Sequence, residues 1–459
     1  MSIIKSISGI RGTIGGRPGE GLGPIDIVSF VCGYAEFLKR NNPNAKNIVV
    51  GRDARLSGKM LEHLVVGAIT AMGFDVVNIG MATTPTTEIA VTGLNADGGI
   101  ILTASHNPKQ WNALKLLDEN GEFLSDSQGK EVLKIAEESD FHYADVDKLG
   151  KELKDDTWLW RHIKMIGKLA LVDKDAISKS NFTVAVDAVN SIGGVAIPEL
   201  LKFLGVKNII EINCEPNGKF SHNPEPIPQN LTTISELMKD GIADVGFVVD
   251  PDVDRLAIVM ENGEMFVEEY TLVSISDYIL KHTPGNTVSN LSSSRALRDI
   301  SEKHGCEYQA AAVGEVNVVA KMKETGAVIG GEGNGGVIYP ELHYGRDALV
   351  GVALFLTLLA KSGKKVSEIK KELPSYFISK NKIELSPDLN VDSLLEKVKK
   401  KFEKEKITDI DGVKIDFKDS WVHLRKSNTE PIIRIYSEAH TLEEADKLAS
   451  EIKKIIASL

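Results

Sequence analysis

Short apolar runs that stop abruptly at polar loops constrain this chain more than any other feature of its sequence. The run Ile100–Leu102 is typical of a buried strand, and Pro108 prevents the loop that follows from continuing as a helix. Ser105 lies in this loop, and ligands of α/β sheets bind beyond the carboxyl ends of the strands. A lone pair such as Ser105 and His106 is more often a polar turn. Ser105 is nevertheless a candidate nucleophile or phosphate carrier, because three further loops carry chemistry that suits a phosphorylated substrate.

Strand-like and helix-like segments alternate along most of the chain, which predicts βαβ units with parallel or mixed sheets. With 459 residues, the chain exceeds the roughly 250–300 residues that one hydrophobic core can serve. Three such units of similar length follow one another. After Pro374, lysine-rich amphipathic helices flank strands near 412–417, 421–425 and 432–437, which predicts a compact α+β domain. The threonine-rich segment 83–86 contains a proline and is predicted to be a loop.

The composition excludes several classes of protein. A formal net charge of −11 is unsuited to nucleic acid, whose phosphates require a basic surface. No apolar stretch approaches the ~18 residues that a membrane span requires, and residues 1–5 lack the features of a signal peptide. The cysteines Cys32, Cys214 and Cys306 are widely separated and match neither a zinc site nor a disulfide framework. We therefore expect a cytoplasmic protein whose partners are neither nucleic acid nor a membrane.

Alternating carboxylates mark the loop that follows the apolar segment 245–249. Asp250, Asp252 and Asp254 can direct three oxygen atoms toward one centre, and hard cations such as Mg²⁺ prefer oxygen ligands. Arg255 next to them can bind an anion. An EF-hand is excluded because Arg255 occupies the position that requires glycine. A solvated acidic turn is the other interpretation, but the apolar segment before the loop favours a metal site.

A glycine-rich segment, residues 330–336, allows the backbone to approach a ligand closely. Within it, Glu332 and Asn334 can form hydrogen bonds with the hydroxyl groups of a sugar. The spacing is not GxGxxG leading into a helix, because a strand-like segment follows, so a nucleotide site is disfavoured. When this segment is considered alone, a flexible turn is the remaining alternative.

A segment between two predicted strands near the carboxyl terminus combines a guanidinium, two hydroxyls and an amide. These groups belong to Arg425, Ser427, Asn428 and Thr429. Together with backbone N–H groups they can bind a phosphate, although such a segment is commonly a hairpin turn. Arg11 near the amino terminus offers one more cation, which is weak evidence on its own.

These four loops, in this order and spacing, resemble those of the α-D-phosphohexomutase superfamily, which includes phosphoglucomutases, phosphomannomutases and phosphoglucosamine mutases. The resemblance extends over nearly the whole chain and includes the segment 51–58. It implies an α/β fold with a heart-shaped, four-domain architecture. Three similar mixed-sheet α/β domains would precede a C-terminal α+β domain related to the TATA-box-binding protein. The predicted domains are residues 1–152, 153–256, 257–372 and 373–459.

The resemblance also implies a role for each candidate residue. Ser105 would carry the phosphoryl group as a phosphoserine. Mg²⁺ would be held by an oxygen of this phosphoserine and by Asp250, Asp252 and Asp254. Lys115 would be the general acid or base, with His106 as a second candidate. The remaining roles are support of the phosphoryl group by Arg11 and Arg255, sugar binding by Glu332 and Asn334, and binding of the other phosphate by Arg425, Ser427, Asn428 and Thr429.

The reaction that the resemblance implies interconverts a hexose 6-phosphate and a hexose 1-phosphate. Phosphoserine donates its phosphoryl group, and the hexose 1,6-bisphosphate that forms reorients and returns the opposite phosphate. Glucosamine phosphate is the expected substrate, with a dual-specificity phosphomannomutase/phosphoglucomutase as the alternative. A Mg²⁺-dependent sugar phosphatase and a non-catalytic sugar-phosphate sensor are the hypotheses from other classes. We expect a monomer or homodimer whose partners are small sugar phosphates.

Val253 and Gly336 are among the positions that depart from the usual patterns of the superfamily. Val253 stands where the metal loop often carries glycine. Gly336 stands where the sugar loop of bacterial members commonly carries histidine. These departures do not affect the type of reaction, but they leave the identity of the sugar open.

Overall fold

The computed structural model describes residues 3–6, 9–384, 391–426 and 432–458. The chain forms two compact units: unit 1 comprises Met1–Thr271 and Asn334–Lys370, and unit 2 comprises Leu272–Gly333 and Lys371–Leu459. Within the described ranges, the helices do not reach the length and apolarity that a membrane span requires.

The strands are β1 (Ile4–Ser6), β2 (Gly9–Thr13), β3 (Asn47–Arg52), β4 (Asp75–Met81), β5 (Gly98–Leu102), β6 (Trp111–Leu117), β7 (Glu152–Lys154), β8 (Thr183–Asp187), β9 (Asn208–Ile212), β10 (Val245–Val249), β11 (Leu256–Met260), β12 (Thr287–Asn290), β13 (Tyr308–Ala311), β14 (Ile329–Glu332), β15 (Gly336–Ile338), β16 (Phe377–Glu384), β17 (Lys406–Thr408), β18 (Val413–Asp416), β19 (Trp421–Lys426) and β20 (Ile432–Ala439). The α-helices are α1 (Pro24–Asn41), α2 (Gly58–Ala71), α3 (Thr84–Leu94), α4 (Asp126–Glu138), α5 (Trp158–Ile166), α6 (Lys174–Ser180), α7 (Gly193–Phe203), α8 (Thr232–Lys239), α9 (Glu269–His282), α10 (Ala296–Lys303), α11 (Glu315–Thr325), α12 (Ala348–Ser362), α13 (Val366–Glu372), α14 (Val391–Lys401) and α15 (Leu442–Ala457).

A seven-stranded mixed sheet organises the first part of unit 1. Its order is β1-β2-β6-β5-β3-β4-β7, with β5, β3, β4 and β7 parallel and β6 antiparallel to β5. Successive residues of β5 face two different cores. Ile100 and Leu102 pack with residues of α1 and α2, whereas Ile101 packs with residues of α3. Because side chains alternate across a strand, burial on both faces explains why this segment is continuously apolar.

The second sheet of unit 1 has the order β11-β10-β8-β9. Strand β10 is parallel to β8 and antiparallel to β11, and all five of its residues are buried. The loop that begins at Asp250 is therefore anchored on a rigid central strand. The predicted division between residues 256 and 257 falls at the start of β11, which pairs with β10. The four domain boundaries stay a prediction.

In unit 2, β12 lies between β13 and β14 and is parallel to both. The C-terminal sheet is antiparallel, with the order β16-β20-β19-β18-β17, and it packs on α14 and α15 around one core. Buried contacts join these two parts of unit 2: Lys414 Nζ donates to the Leu291 carbonyl at 2.8 Å, and His423 Nδ1 lies 2.9 Å from Ser292 Oγ. The predicted C-terminal α+β domain is confirmed.

The threonine-rich segment predicted to be a loop begins helix α3 instead. Thr83 is the N-cap residue, and its hydroxyl oxygen accepts a hydrogen bond from the Thr86 N–H at 3.0 Å. Pro85 lies in the first turn, where its missing N–H costs nothing. Polar residues that resemble a loop in the sequence are therefore the start signal of a helix.

Candidate active site

Ser105 lies three residues beyond the end of β5, in a left-handed backbone conformation with a φ of 48°. Its N–H donates to the Thr103 hydroxyl oxygen at 3.0 Å, and the Thr103 hydroxyl donates to Asp53 Oδ2 at 2.7 Å. Ser105 is 8% exposed, and its Oγ donates to Asp250 Oδ2 at 2.7 Å. The fold thus brings the candidate nucleophile into contact with the first candidate metal ligand, 145 residues away.

A buried arginine that the sequence did not identify holds this Ser105 loop in place. The Arg55 guanidinium donates at 2.5–2.9 Å to four backbone carbonyl oxygens, those of Ser105, Asn107, Pro108 and Trp111. Its Nε also pairs with Asp53 Oδ2 at 3.0 Å, and both side chains are fully buried. The loop is therefore closed from outside by one cation. Arg55 belongs to the segment 51–58, which begins at the end of β3, the strand that pairs with β5. The resemblance of this segment to the superfamily was the one sign of its importance in the sequence.

The metal loop, residues 250–255, is closed by one of its own carboxylates. Asp250 Oδ1 accepts hydrogen bonds from the N–H groups of Asp254 at 3.2 Å and Arg255 at 3.1 Å. Val253 has a φ of 63°, a left-handed conformation that a β-branched residue rarely adopts, and it is fully buried. Asp250 therefore shapes the loop through Oδ1 and contacts Ser105 through Oδ2.

The three aspartates of this loop form a compact group of buried oxygen atoms. One carboxylate oxygen from each of Asp250, Asp252 and Asp254 lies within 4.8 Å of the other two. Asp252 Oδ1 and Asp254 Oδ1 are buried without a hydrogen-bond donor among the residues that the structure describes. Buried carboxylate oxygens without donors are costly unless a cation compensates them. The residues therefore fit a hard divalent cation.

Lys115 contacts this group of carboxylates. Its Nζ donates to Asp252 Oδ2 at 2.7 Å and lies 3.5 Å from Asp254 Oδ2. Burial lowers the pKa of Lys115. The carboxylates of Asp252 and Asp254 raise it by a larger amount, so the net pKa lies above its ordinary value. Burial raises the pKa of Asp252, whereas Lys115 lowers it, with a net shift downward. The predicted acid or base is thus held as an ammonium ion against a carboxylate.

The charges of Arg11 and Arg255 act on His106, the residue that follows Ser105. Arg11 Nη1 donates to Asn107 Oδ1 at 3.4 Å, and burial followed by the charge of Arg255 lowers the pKa of Arg11. His106 Nδ1 lies 3.5 Å from Ser105 Oγ. The charge of Arg255, followed by burial and Arg11, holds the pKa of His106 well below its ordinary value. Two guanidinium groups whose charges act on the same histidine favour binding of an anion such as a phosphoryl group.

Two further residues contact the carboxylates and were not identified from the sequence. Thr84 Oγ1, in the first turn of α3, donates to Asp252 Oδ2 at 2.6 Å. Arg346 Nη2 donates to Asp254 Oδ2 at 2.7 Å. These contacts span 168 and 92 residues, so no local pattern could have revealed them.

The two candidate sugar ligands belong to different units. In unit 2, Glu332 ends β14, and its Oε1 accepts hydrogen bonds from Asn290 Nδ2 at 2.7 Å and the Gly314 N–H at 3.1 Å. In unit 1, Asn334 Oδ1 accepts a hydrogen bond from the Gly336 N–H at 3.2 Å. Both side chains are thus oriented by neighbours, and their contacts with a sugar stay a prediction.

Among the candidate phosphate ligands, Arg425 alone lies within the described residues. Ser427, Asn428 and Thr429 lie outside them. Arg425 is on β19 in unit 2, and its Nε pairs with Asp411 Oδ2 at 2.9 Å. Its side chain is 25% exposed, and its contact with a phosphate stays a prediction.

Comparison with known proteins identifies one family along the whole chain. Residues 3–143, 161–263 and 268–377 match, in this order, the alpha/beta/alpha domains I, II and III of phosphoglucomutase/phosphomannomutase, and residues 385–455 match its C-terminal domain. The phosphoglucomutase/phosphomannomutase of Thermococcus kodakarensis is 37% identical over 440 residues, which cover 95% of each chain. This chain belongs to the phosphoglucomutase/phosphomannomutase family.

Two further proteins match over nearly the whole chain. A probable phosphoglucosamine mutase of Methanopyrus kandleri is 32% identical over 452 residues, which cover 98% of this chain and 96% of the relative. The X-ray structure of a family protein from Burkholderia thailandensis has a TM-score of 0.86 at 26% identity and covers 99% of this chain and 98% of its own. The predicted superfamily, its class of four-domain α/β fold and the assignment to phosphohexomutases are confirmed.

Proposed function

We propose that this chain interconverts a hexose 6-phosphate and a hexose 1-phosphate through a phosphoserine at Ser105, with glucosamine phosphate as its main substrate. The observation that carries the proposal is the 2.7 Å hydrogen bond from Ser105 Oγ to Asp250 Oδ2. It supports a phosphoryl carrier beside a group of carboxylates able to hold a cation, which is the arrangement that phosphoryl transfer uses.

The first step starts from a phosphoryl group on Ser105 Oγ. A hydroxyl of the bound sugar monophosphate attacks phosphorus, so a bond from phosphorus to the sugar oxygen forms while the bond to Ser105 Oγ breaks. The proton of the attacking hydroxyl passes by way of Lys115 or His106 to the Ser105 oxygen. The bisphosphate then reorients, and the reverse step returns its opposite phosphate to Ser105 and a proton to the sugar oxygen. Atoms and charge therefore balance over one turnover.

Asp250, Asp252 and Asp254 would hold Mg²⁺ together with a phosphoserine oxygen. When bound, this ion would neutralise charge on the phosphoryl group being transferred. The remaining charge would be met by Arg11 and Arg255, whose guanidinium groups can donate to phosphoryl oxygens. Burial of Ser105 and the three aspartates would limit the access of water, which would otherwise hydrolyse the phosphoserine.

The two ends of the substrate would be held by groups outside this cluster. We assign the sugar hydroxyls to Glu332 and Asn334. We assign the phosphate that is not transferred to Arg425 with Ser427, Asn428 and Thr429. The orientation of Arg425 by Asp411 supports this assignment, because a fixed guanidinium binds an anion at lower entropic cost.

The preference for an amino sugar rests on the relatives. The Methanopyrus kandleri relative, a probable phosphoglucosamine mutase, matches this chain over nearly the full length of both proteins. The Thermococcus kodakarensis relative, at higher identity, is a phosphoglucomutase/phosphomannomutase, which makes dual specificity the alternative.

The test is a turnover assay on the full-length protein with Mg²⁺ and a hexose 1,6-bisphosphate primer. Glucosamine, mannose and glucose 6-phosphates are offered in parallel, and ³¹P NMR follows both isomers and free phosphate. We expect the fastest isomerisation with glucosamine 6-phosphate, none with Ser105→Ala, and a normal rate with the control Ser180→Ala, which alters an exposed serine at the end of α6.

Three outcomes would contradict parts of this proposal. Comparable rates with mannose and glucose phosphates would favour the dual-specificity alternative. Steady release of phosphate without isomerisation would favour a sugar phosphatase. Full activity of the Ser105→Ala variant would show that Ser105 is not the phosphoryl carrier.

A further inference from the structure

Arg346 lies against the metal loop in unit 1, yet the reaction as proposed gives it no role. Its Nη2 donates to Asp254 Oδ2 at 2.7 Å, and both residues are buried. Its backbone is fixed by an antiparallel bridge to Ile338 and by the following residue, Asp347, which is the N-cap of α12. A guanidinium on so rigid a support holds its carboxylate partner in one orientation.

The two oxygens of Asp254 have different surroundings. Oδ2 contacts the Arg346 guanidinium and lies 3.5 Å from Lys115 Nζ. Oδ1 is buried without a hydrogen-bond donor in the described part of the chain, and Arg255 Nε stays 3.9 Å from it. Because the carboxylate is planar, fixing Oδ2 also fixes the direction of Oδ1. Arg346 thus determines which oxygen is left for a cation.

Gly336 leaves the space that the Arg346 side chain occupies. A Cβ atom at position 336 would lie 2.3 Å from Arg346 Cδ and 3.0 Å from Arg346 Cγ. Such distances exclude any side chain at 336 unless Arg346 moves. Gly336 does not adopt a left-handed φ, so glycine is needed here for space and not for backbone conformation.

We propose that Arg346 is a positioning residue that orients Asp254 for a divalent cation, and that Gly336 is required because it admits the Arg346 side chain. The inference rests on the metal site of the proposed function. The contact between Gly336 in β15 and Arg346 before α12 would thus control the affinity for the cation, although neither Gly336 nor Arg346 is a metal ligand.

The experiment measures Mn²⁺ binding to the full-length protein without substrate, with the free ion followed by EPR. The variants are Arg346→Met, Arg346→Lys, Gly336→Ala and the double variant Gly336→Ala/Arg346→Met. Controls are Gly67→Ala, where a Cβ meets open space, and Arg40→Met, which removes an exposed cation. Thermal unfolding without metal verifies that each protein is folded.

We expect Arg346→Met and Gly336→Ala each to weaken Mn²⁺ binding by about 10-fold or more, since groups that orient ligands commonly have effects of this size. The double variant should bind no more weakly than Arg346→Met alone, because both changes break the same contact. Arg346→Lys should bind with intermediate affinity, and both controls should bind like the wild type. Gly336→Ala changes no charge, so its effect separates orientation from electrostatics.

Several results would overturn the inference. Unchanged or tighter Mn²⁺ binding by Gly336→Ala would overturn it. A double variant whose loss of Mn²⁺ affinity equals the product of the two single losses would also overturn it. If Arg346→Met does not fold, Gly336→Ala and Arg346→Lys decide the matter. Failure of the wild type to bind Mn²⁺ would remove both the metal site and this inference, whereas the isomerisation assay tests the proposed reaction independently.

Discussion

The Ser105 loop and the metal loop both follow a fully buried strand, yet opposite chemistry closes them. The Ser105 loop is closed by Arg55, which donates to four backbone carbonyls from outside the loop. The metal loop is closed by Asp250, whose Oδ1 accepts two backbone N–H groups from within. Each loop contains one left-handed residue, Ser105 in the first and Val253 in the second.

This difference determines whether function can be separated from structural support. Ser105 contributes its hydroxyl to the proposed chemistry, while Arg55 maintains the conformation of the loop. Asp250 has both tasks, because one of its oxygens shapes the loop and the other meets Ser105. We therefore expect activity and stability to respond separately to substitutions at the first loop and together at the second.

The largest effect is expected at Asp250. Asp250→Asn keeps an oxygen that accepts the two N–H groups but removes a metal-binding charge, so kcat should fall by about 10²–10³-fold. Asp250→Ala should lose as much activity and also be about 1–3 kcal/mol less stable than Asp250→Asn, because two buried N–H groups lose their acceptor. Isomerase assays and urea unfolding in EDTA measure the two quantities. Equal stability of the two variants would show that Asp250 does not support the loop.

Arg55 offers the opposite test. Arg55→Met leaves the buried Asp53 carboxylate without its partner and four carbonyls without donors, so the free energy of unfolding should fall by about 3–5 kcal/mol. Arg55→Lys keeps the charge but cannot donate to four carbonyls, and its loss should be smaller. Ser105→Ala should lose about 1.5–3 kcal/mol, less than Arg55→Met, since it removes a single hydrogen bond to a buried carboxylate.

Urea unfolding of these variants has Arg40→Met as its control, because an exposed ion pair contributes at most about 1 kcal/mol. If Arg55→Met loses less than 1 kcal/mol, the Ser105 loop does not depend on this arginine. If Ser105→Ala is the less stable of the two, support and function are not separable at this loop.

A smaller effect is expected where α3 meets the metal loop. Thr84→Val has nearly the same shape as threonine but removes the hydroxyl that donates to Asp252 Oδ2 at 2.6 Å. Loss of a hydrogen bond to a charged group should lower the free energy of unfolding by about 1.5–3 kcal/mol. Thr84→Ser retains the hydroxyl and should lose about 1 kcal/mol or less, from one buried methyl group. Chemical denaturation compares them, and equal losses would indicate that Thr84 acts only through packing.

The same contrast explains what the sequence could predict. The strands β5 and β10 are continuously apolar, and the loops after them carry Ser105 and the alternating aspartates. The reactive groups could therefore be recognised from short segments of the sequence. The supports were not visible, because Arg55 acts on carbonyls 50 to 56 residues away, through backbone atoms that have no sequence signature. Arg346 contacts Asp254 only after the five strands and three helices that separate them in the sequence, β11–β15 and α9–α11, have formed.

Helix α3 shows a different limit of local patterns. The threonines and the proline at its start also occur in loops, and only the N-cap hydrogen bond from Thr86 to Thr83 distinguishes the two cases. The helix start matters for the site, because it places Thr84 against Asp252. Residues that orient the reactive groups are therefore harder to recognise than the reactive groups themselves.

The smallest expected effect concerns the left-handed residue of the metal loop. Val253 has a φ of 63°. The Val253→Ala variant loses two buried methyl groups and keeps this unfavourable backbone conformation. The Val253→Gly variant loses one carbon atom more, but glycine adopts the conformation without strain. We expect Val253→Gly to be at least as stable as Val253→Ala, with a difference within about 1 kcal/mol. Val248, equally buried but extended in β10, is the matched control, and there glycine should be less stable than alanine by about 1 kcal/mol. Urea unfolding of the four variants provides the comparison, and the same preference for alanine at both positions would show that the conformation of Val253 carries no cost.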